Sequence, residues 1–186
     1  MEPFFIALAL IVVVLVLWGI GLYNALVKLR NLVAESWRQI DVELQRRHEL
    51  IPNLVETVKG YAAHERSTLQ AVVEARTVAA APGSTPAEQA NQENALSQAL
   101  GRLFALSEQY PDLKANQNFL ELQRELTYTE DRVAAGRRFY NANVRALNTK
   151  IEVFPSSVVA GMFSFQRADY FEVLDTAARQ APKVQF

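Results

Sequence analysis

The chain opens on unbroken apolar sequence and then turns periodic. Phe4 to Tyr23 reads FFIALALIVVVLVLWGIGLY and carries no charge. As a helix this run is about 30 Å long, the thickness of a bilayer's hydrocarbon core. Trp18 and Tyr23 stand toward its end, where amphipathic rings favour the headgroup level. Phe4, Leu8, Val12, Leu15, Trp18 and Tyr23 therefore mark a lipid-facing anchor. A cleaved secretory signal would need a basic leading region, which Met1-Glu2-Pro3 lacks. The apolar run is also long for a signal core, and no small-x-small site comes cleanly after it. The expectation is an uncleaved, single-pass anchor, because no later window is comparably apolar.

Beyond the anchor, Leu29, Val33, Trp37, Ile40, Leu44, Ile51, Val55 and Val58 fall three, four or seven apart. That spacing predicts an amphipathic helix; a strand would require alternation. Pro52 lies inside the stripe, lacks an N–H and crowds the carbonyl of His48, so a kink is expected nearby. Gly60 is a second weak point. A further helix is predicted from about His64 to Ala80, with Leu69, Val72 and Val73 inward. The clearest loop is Ala81 to Pro86. Thr85 then reads as an N-cap, Pro86 as the first helical residue and Glu88 as the capping-box partner. The next helix carries Leu96, Leu100, Leu103 and Leu106. Tyr110-Pro111-Asp112 ends it, with Asp112 placed to cap the helix after it. The last long helix carries Phe119, Leu122, Leu126, Val133, Tyr140, Val144, Leu147 and Ile151, and Phe154-Pro155 closes it.

These elements predict an all-α fold: an N-terminal transmembrane helix and then an antiparallel, up-and-down four-helix bundle. Three helices remain the alternative if the chain only kinks between Pro52 and His64. The expected divisions are an anchor over 1–24, a bundle over 25–154 and an aromatic-rich tail over 155–186. Residues 23–31 weakly echo 140–148, which reads as chance likeness between helices and not as a repeat.

Composition narrows the function classes. The chain of 186 residues has 19 basic and 20 acidic side chains and a net charge of −1, which argues against bulk nucleic-acid binding. There is no cysteine, hence no disulfide, thiolate nucleophile or cysteine-based metal site. The metalloprotease pattern fails because the position four after His48 is Pro52. A di-iron Glu-x-x-His pair fails because Gln45 and Tyr61 precede the two histidines by three. Asp41/Glu43 and Glu130/Asp131 do not share a helix face. No phosphate-cradling loop or nucleophile with a placed base is present. The expectation is a protein that is not an enzyme, with no catalytic residue, cofactor or metal.

Three surfaces exceed background. Residues 136–150 carry Arg137, Arg138, Arg145 and Lys150 with no acid. They read either as a solvated helix end or, with Lys28 and Arg30, as a headgroup contact worth about 1 kcal/mol per basic residue beside an anionic leaflet. Arg46, Arg47, Glu49, Asn53 and Glu56 surround Pro52 and form either a partner surface or an ion-paired helix face. The tail, with Phe163, Phe165, Tyr170 and Phe171, is too apolar for a free linker. It packs back on the bundle, on a neighbouring subunit or on the membrane interface. Lys28, Arg30 and Arg38 outweigh the flank at Glu2, so the positive-inside bias sets the bundle in the cytoplasm and the N-terminus outside.

Trp37-Arg38-Gln39-Ile40-Asp41-Val42, together with RRHELIPNLVETVKGYA over 46–62, resembles the signature of the LemA family. Tyr110 to Asn116, Asn118-Phe119, Thr129-Glu130, Phe139-Tyr140-Asn141, Phe154-Pro155, Tyr170-Phe171-Glu172 and Pro182-Lys183-Val184 resemble its later blocks. The resemblance covers nearly the whole chain. It implies a bacterial membrane protein with an N-terminal anchor and an antiparallel four-helix bundle, and no family catalytic residues to map; with the charge bias, the expected location is the inner membrane. Some relatives are linked to membrane remodelling in magnetosome formation. The expected role is a membrane-associated scaffold whose partners are the bilayer and further copies of itself. The alternative is an adaptor or sensor subunit for a membrane protease or signalling complex.

Overall fold

In the computed structural model of the chain, residues 2–172 are described, and no strand occurs among them. The elements are α1 (Glu2–Lys59), α2 (Arg66–Ala79), α3 (Pro86–Ser107), α4 (Pro111–Lys114), α5 (Gln117–Glu152) and α6 (Ser156–Met162). The apolar run and the first amphipathic stripe form one continuous helix that passes through Pro52. The chain turns only at 60–65, beside Gly60, so α2 is a separate helix. Proline inside a helix leaves the carbonyl four residues earlier without its N–H. That carbonyl belongs to His48, and Arg76 Nε of α2 donates to it at 3.2 Å. A side chain on the neighbouring helix thus supplies the donor that Pro52 removes.

Compactness divides the chain into two units, cutting within α1 and α5 and not at their ends. The first comprises residues up to Gln39 with Arg138–Ala168; the second comprises Ile40–Arg137 and the chain from Asp169. The second unit holds the larger core, in which Ile51, Leu54, Val58, Leu69, Val72, Leu96, Leu103, Leu113, Phe119 and Leu126 are buried together. Burying such side chains at about 25 cal/mol per Å² is the main stabilising term. Val73 departs from expectation and is exposed. At the helical period it lies one step beyond Val72, outside the buried stripe.

In this unit Glu43 pairs with Arg132, and Arg46 pairs with Glu125 at 2.7 Å. Partner numbers fall along α5 as they rise along α1. Gly136 sits where the two helices approach closely: a Cβ there would stand 3.0 Å from Ile40 Cγ1. Ile40 is itself buried. Gly136→Leu is expected to destabilise the fold by about 1–3 kcal/mol through overpacking, read as a lower urea midpoint with an unchanged slope.

Helix ends obey local chemistry. Thr85 Oγ1 accepts from the Glu88 N–H while Glu88 Oε2 accepts from the Thr85 N–H, the predicted capping box. Gly83 takes φ +94 in the preceding loop, a conformation that favours glycine. The start of α5 differs from expectation. Asn116 Oδ1, not Asp112, accepts from the Phe119 N–H at 3.0 Å, because Pro111-Asp112 begins the short α4 instead.

The backbone and side-chain hydrogen bonds from Thr85 hold the Glu88 carboxyl below its ordinary value of 4.5. A lowered folded pKa means the cap is fully present above the ordinary value and is lost as pH falls through the lower folded one. Amide protection at Thr85 should therefore fall in acid below the ordinary glutamate range. Glu88→Gln should remove that pH dependence in hydrogen exchange.

Candidate functional site

In the first unit the anchor stands clear of the rest of the chain. Phe4, Leu8, Val12, Leu15 and Trp18 are 67, 48, 51, 56 and 52 % exposed. The best window here has a mean hydropathy of 3.0, and none of it is buried. In water such a surface is strongly unfavourable; in a bilayer it is the matching solvent, with every backbone group satisfied inside the helix. The chain closes over α1 only at the far end of the apolar run. The Tyr23 ring meets Phe163 and Phe165, at 4.7 and 5.8 Å between centroids.

The basic residues separate into two groups. Lys28 and Arg30 come within about two turns of Tyr23 and are exposed. Lys150 is half-buried near the end of α5, and Arg145 is exposed one to two turns before it. Arg138 lies close in sequence to Tyr140, whose ring meets Trp37 at a tilt of 56°, 5.4 Å between centroids. Trp37 is about 21 Å beyond Tyr23 at 1.5 Å per residue. That is further than the roughly 8–10 Å over which salt lets surface charges act. Arg138 is thus held away from the end of the anchor, whereas Lys28, Arg30 and Lys150 are near it; Arg137 belongs to the second unit. One face of α1 beyond the anchor, lined by Asn24, Lys28, Asn31, Glu35 and Arg38, is an open depression.

The tail residues fare differently from one another. Phe163 is 57 % exposed, while Phe165 and Tyr170 are half-buried. Phe171 is completely buried within the protomer, so its ring is not available to a neighbour. Residues beyond 172, including Pro182 to Val184, lie outside the described residues.

In the second unit the polar residues around Pro52 also divide. Arg46, Glu49, Asn53 and Glu56 are exposed, and Arg46 also lies 5.7 Å from the Tyr128 ring centroid. Arg47 does not belong to that surface. It is only 5 % exposed, because it faces α3 and not solvent. Arg47 Nη1 donates to Glu93 Oε2 at 2.9 Å, and Nη2 donates to Ser97 Oγ at 2.8 Å. His48 Nε2 lies 2.7 Å from Glu93 Oε1, and Gln89 Nε2 donates to the same oxygen at 3.1 Å. The carboxylate is an acceptor, which places the imidazole hydrogen on Nε2. Gln89 also donates to the Ala79 carbonyl at 2.8 Å, tying α2 to α3.

Glu93 is the residue that sequence reasoning missed, and it is the centre of this network. The signal was present: Glu93 stands three before Leu96 and seven before Leu100, on the apolar stripe itself. Likewise Arg47 and His48 fill the gap in the stripe between Leu44 and Ile51. Each oxygen of Glu93 is engaged and the side chain is 2 % exposed, so the group holds helices in register and does not meet a substrate.

The LemA family pattern matches residues 36–186. The chain belongs to the LemA family.

The match begins near the end of the unit-one stretch of α1 and includes Arg47, His48, Pro52, Arg76 and Glu93. Magnetosome proteins MamQ 1 and MamQ 2 of Paramagnetospirillum magneticum are each 27% identical to the chain over 175 residues, covering 81% of it and 64% of themselves. The chain therefore spans about 64% of the length of these relatives. Protein LemA of Metamycoplasma hominis is 27% identical over 188 residues, covering 98% of this chain and 82% of that one. Family membership and the exposed apolar helix agree on a helical, membrane-associated protein.

Proposed function

We propose that this chain is a single-pass bacterial inner-membrane protein that works as a scaffold by self-assembly and catalyses no reaction. Its helices beyond the span form an antiparallel four-helix bundle on the cytoplasmic side, with the N-terminus outside. The observation that carries the reading is the first stretch of α1. An uncharged, exposed run passes without a break into the helix that supplies the buried core. Helical continuity between span and core is what a scaffold needs, since force or position in the membrane is transmitted without a linker. The falling order of α5 partners along α1 supports the antiparallel packing.

The open face through Asn24, Asn31 and Arg38 offers a surface to further copies. Extraction of the full chain in native membrane patches, with its mass then measured, tests the proposal. A uniform multiple of the protomer is expected. A bare monomer overturns self-assembly. A monomer carrying one stoichiometric second protein favours an adaptor instead, docked at Arg46, Glu49, Asn53 and Glu56.

A further inference from the structure

No charged residue occurs between Glu152 and Arg167. Those two bounding residues pair with each other, Arg167 Nη1 to Glu152 Oε1 at 2.8 Å. Within the segment, Ser156 and Ala160 of α6 are buried. Phe154, Val158 and Met162 succeed one another four apart and are 82, 54 and 75 % exposed. Val153 and Phe163 flank them, also exposed. A surface helix in water buries its apolar face and shows a polar one. Here the outward face is apolar as well, and contiguous apolar surface of this kind marks a contact with something other than water.

The fold places this corner beside the end of the anchor. The Trp37 and Tyr140 rings are in contact, and both helices rise about 1.5 Å per residue, so the end of α5 comes level with the residues just after Tyr23. Direct contacts agree. After α6 the chain reverses through Ser164 at φ 54, with Phe165 N–H donating to the Ala160 carbonyl at 2.9 Å and Ser164 N–H to Gly161. This Schellman turn sets Phe163 and Phe165 against Tyr23. Asn148 fixes the returning strap, exchanging hydrogen bonds with Ala168 N–H and carbonyl at 2.9 and 3.0 Å. The Arg30 guanidinium lies 5.4 Å from the Phe165 centroid, so a cation borders the corner on the side away from the apolar run.

We propose that the Val153–Phe163 corner is a second membrane contact, inserted at the headgroup–acyl boundary of the leaflet in which the anchor ends. The proposal rests on reading the start of α1 as a span. Lipid is the occupant because the apolar surface is continuous with the exposed anchor through Tyr23. It is also uncharged throughout and bordered by Arg30 and the Arg167–Glu152 pair, as an interfacial element requires. A span alone leaves the attached unit free to rotate and tilt. Two contacts at one depth fix its orientation to the bilayer surface.

The chain has no cysteine, so single labels can be placed freely. Full-length Met162→Cys carries a nitroxide in vesicles of phosphatidylcholine and phosphatidylglycerol, and its accessibility to oxygen and to a water-soluble nickel chelate is measured. Leu15→Cys marks the span and Val73→Cys marks water. The expected ratio of oxygen to nickel accessibility at Met162 lies several-fold above that at Val73, toward that at Leu15. Val158→Cys, one turn away, should agree. A Met162 value equal to that at Val73, with Leu15 in lipid, overturns the corner contact alone. A label shielded from both probes shows protein covering the corner and overturns the lipid assignment. A water-like value at Leu15 overturns the span and this inference together.

Discussion

Glu93→Ala is expected to lower the stability of the protein by about 3–5 kcal/mol, because it leaves the buried Arg47 charge with only a 4.0 Å contact to the exposed Glu130. Arg47 and Glu93 are 5 and 2 % exposed, so water cannot replace the lost carboxylate. His48 and Gln89 lose the same acceptor. In a chain of this size the change amounts to a fall in Tm on the order of 10 °C. Thermal unfolding of the full chain in detergent, monitored by circular dichroism, reads it directly. The loss comes mostly from the stranded charge, so a second variant separates charge from packing. Glu93→Leu combined with Arg47→Met and His48→Leu replaces the network by apolar groups of similar volume and should recover most of the stability. A Tm for Glu93→Ala within a degree or so of the parent would contradict the cost assigned to the stranded Arg47 charge.

Val12→Arg combined with Leu15→Arg is expected to abolish membrane retention. Each arginine near the middle of a span costs about 2.5–3.5 kcal/mol on insertion, and each replaced apolar residue contributed about 0.3–0.6 in the other direction. The pair therefore shifts insertion by about 6–8 kcal/mol, a change no compensating residue nearby can offset, since Phe4 to Tyr23 carries no acid. The parent chain should stay in the pellet after alkaline carbonate treatment and the variant should move to the supernatant. Val73→Arg, at an exposed apolar position of the second unit, is the control and should change nothing. A variant that remains in the pellet beside the parent contradicts the span.

Much of this architecture is legible in the residues themselves. The uncharged run and the stripe through Ile40, Leu44, Ile51, Val55 and Val58 report one helix, since apolar periodicity reflects directly which face is buried. The Thr85–Glu88 box is legible for the same reason: its chemistry is contained in a few consecutive residues. What escapes is non-local. Pro52 announces a broken hydrogen bond, but Arg76, which repairs it, lies on another helix. Arg47 reads as surface by residue type, and only the facing Glu93 explains why it is inside. The two charges interrupt their stripes at matching places, which is a visible sign of a buried pair, yet the match requires knowing which helices meet.

The segment after Phe154 is the other gap. Ser156 to Met162 has no cap, no charge and no clean period over its short length, so α6 does not stand out. Its tertiary setting makes it a helix, through buried Ser156 and Ala160 and the turn at Ser164. The basic stretch shows the opposite error of scale. Its residues are contiguous in sequence but spread over about 20 Å of helix from Arg137 to Lys150, so they do not act as one patch.

The proposal requires α1 to cross the bilayer once and to carry the folded units on the cytoplasmic side. Single cysteines answer it most directly. Glu2→Cys and Val73→Cys are each exposed to a membrane-impermeant maleimide in spheroplasts expressing the full chain. The account predicts labelling of Glu2→Cys in intact spheroplasts and of Val73→Cys only after the membrane is opened. Labelling of both positions from the outside, or of Val73→Cys alone, would contradict it.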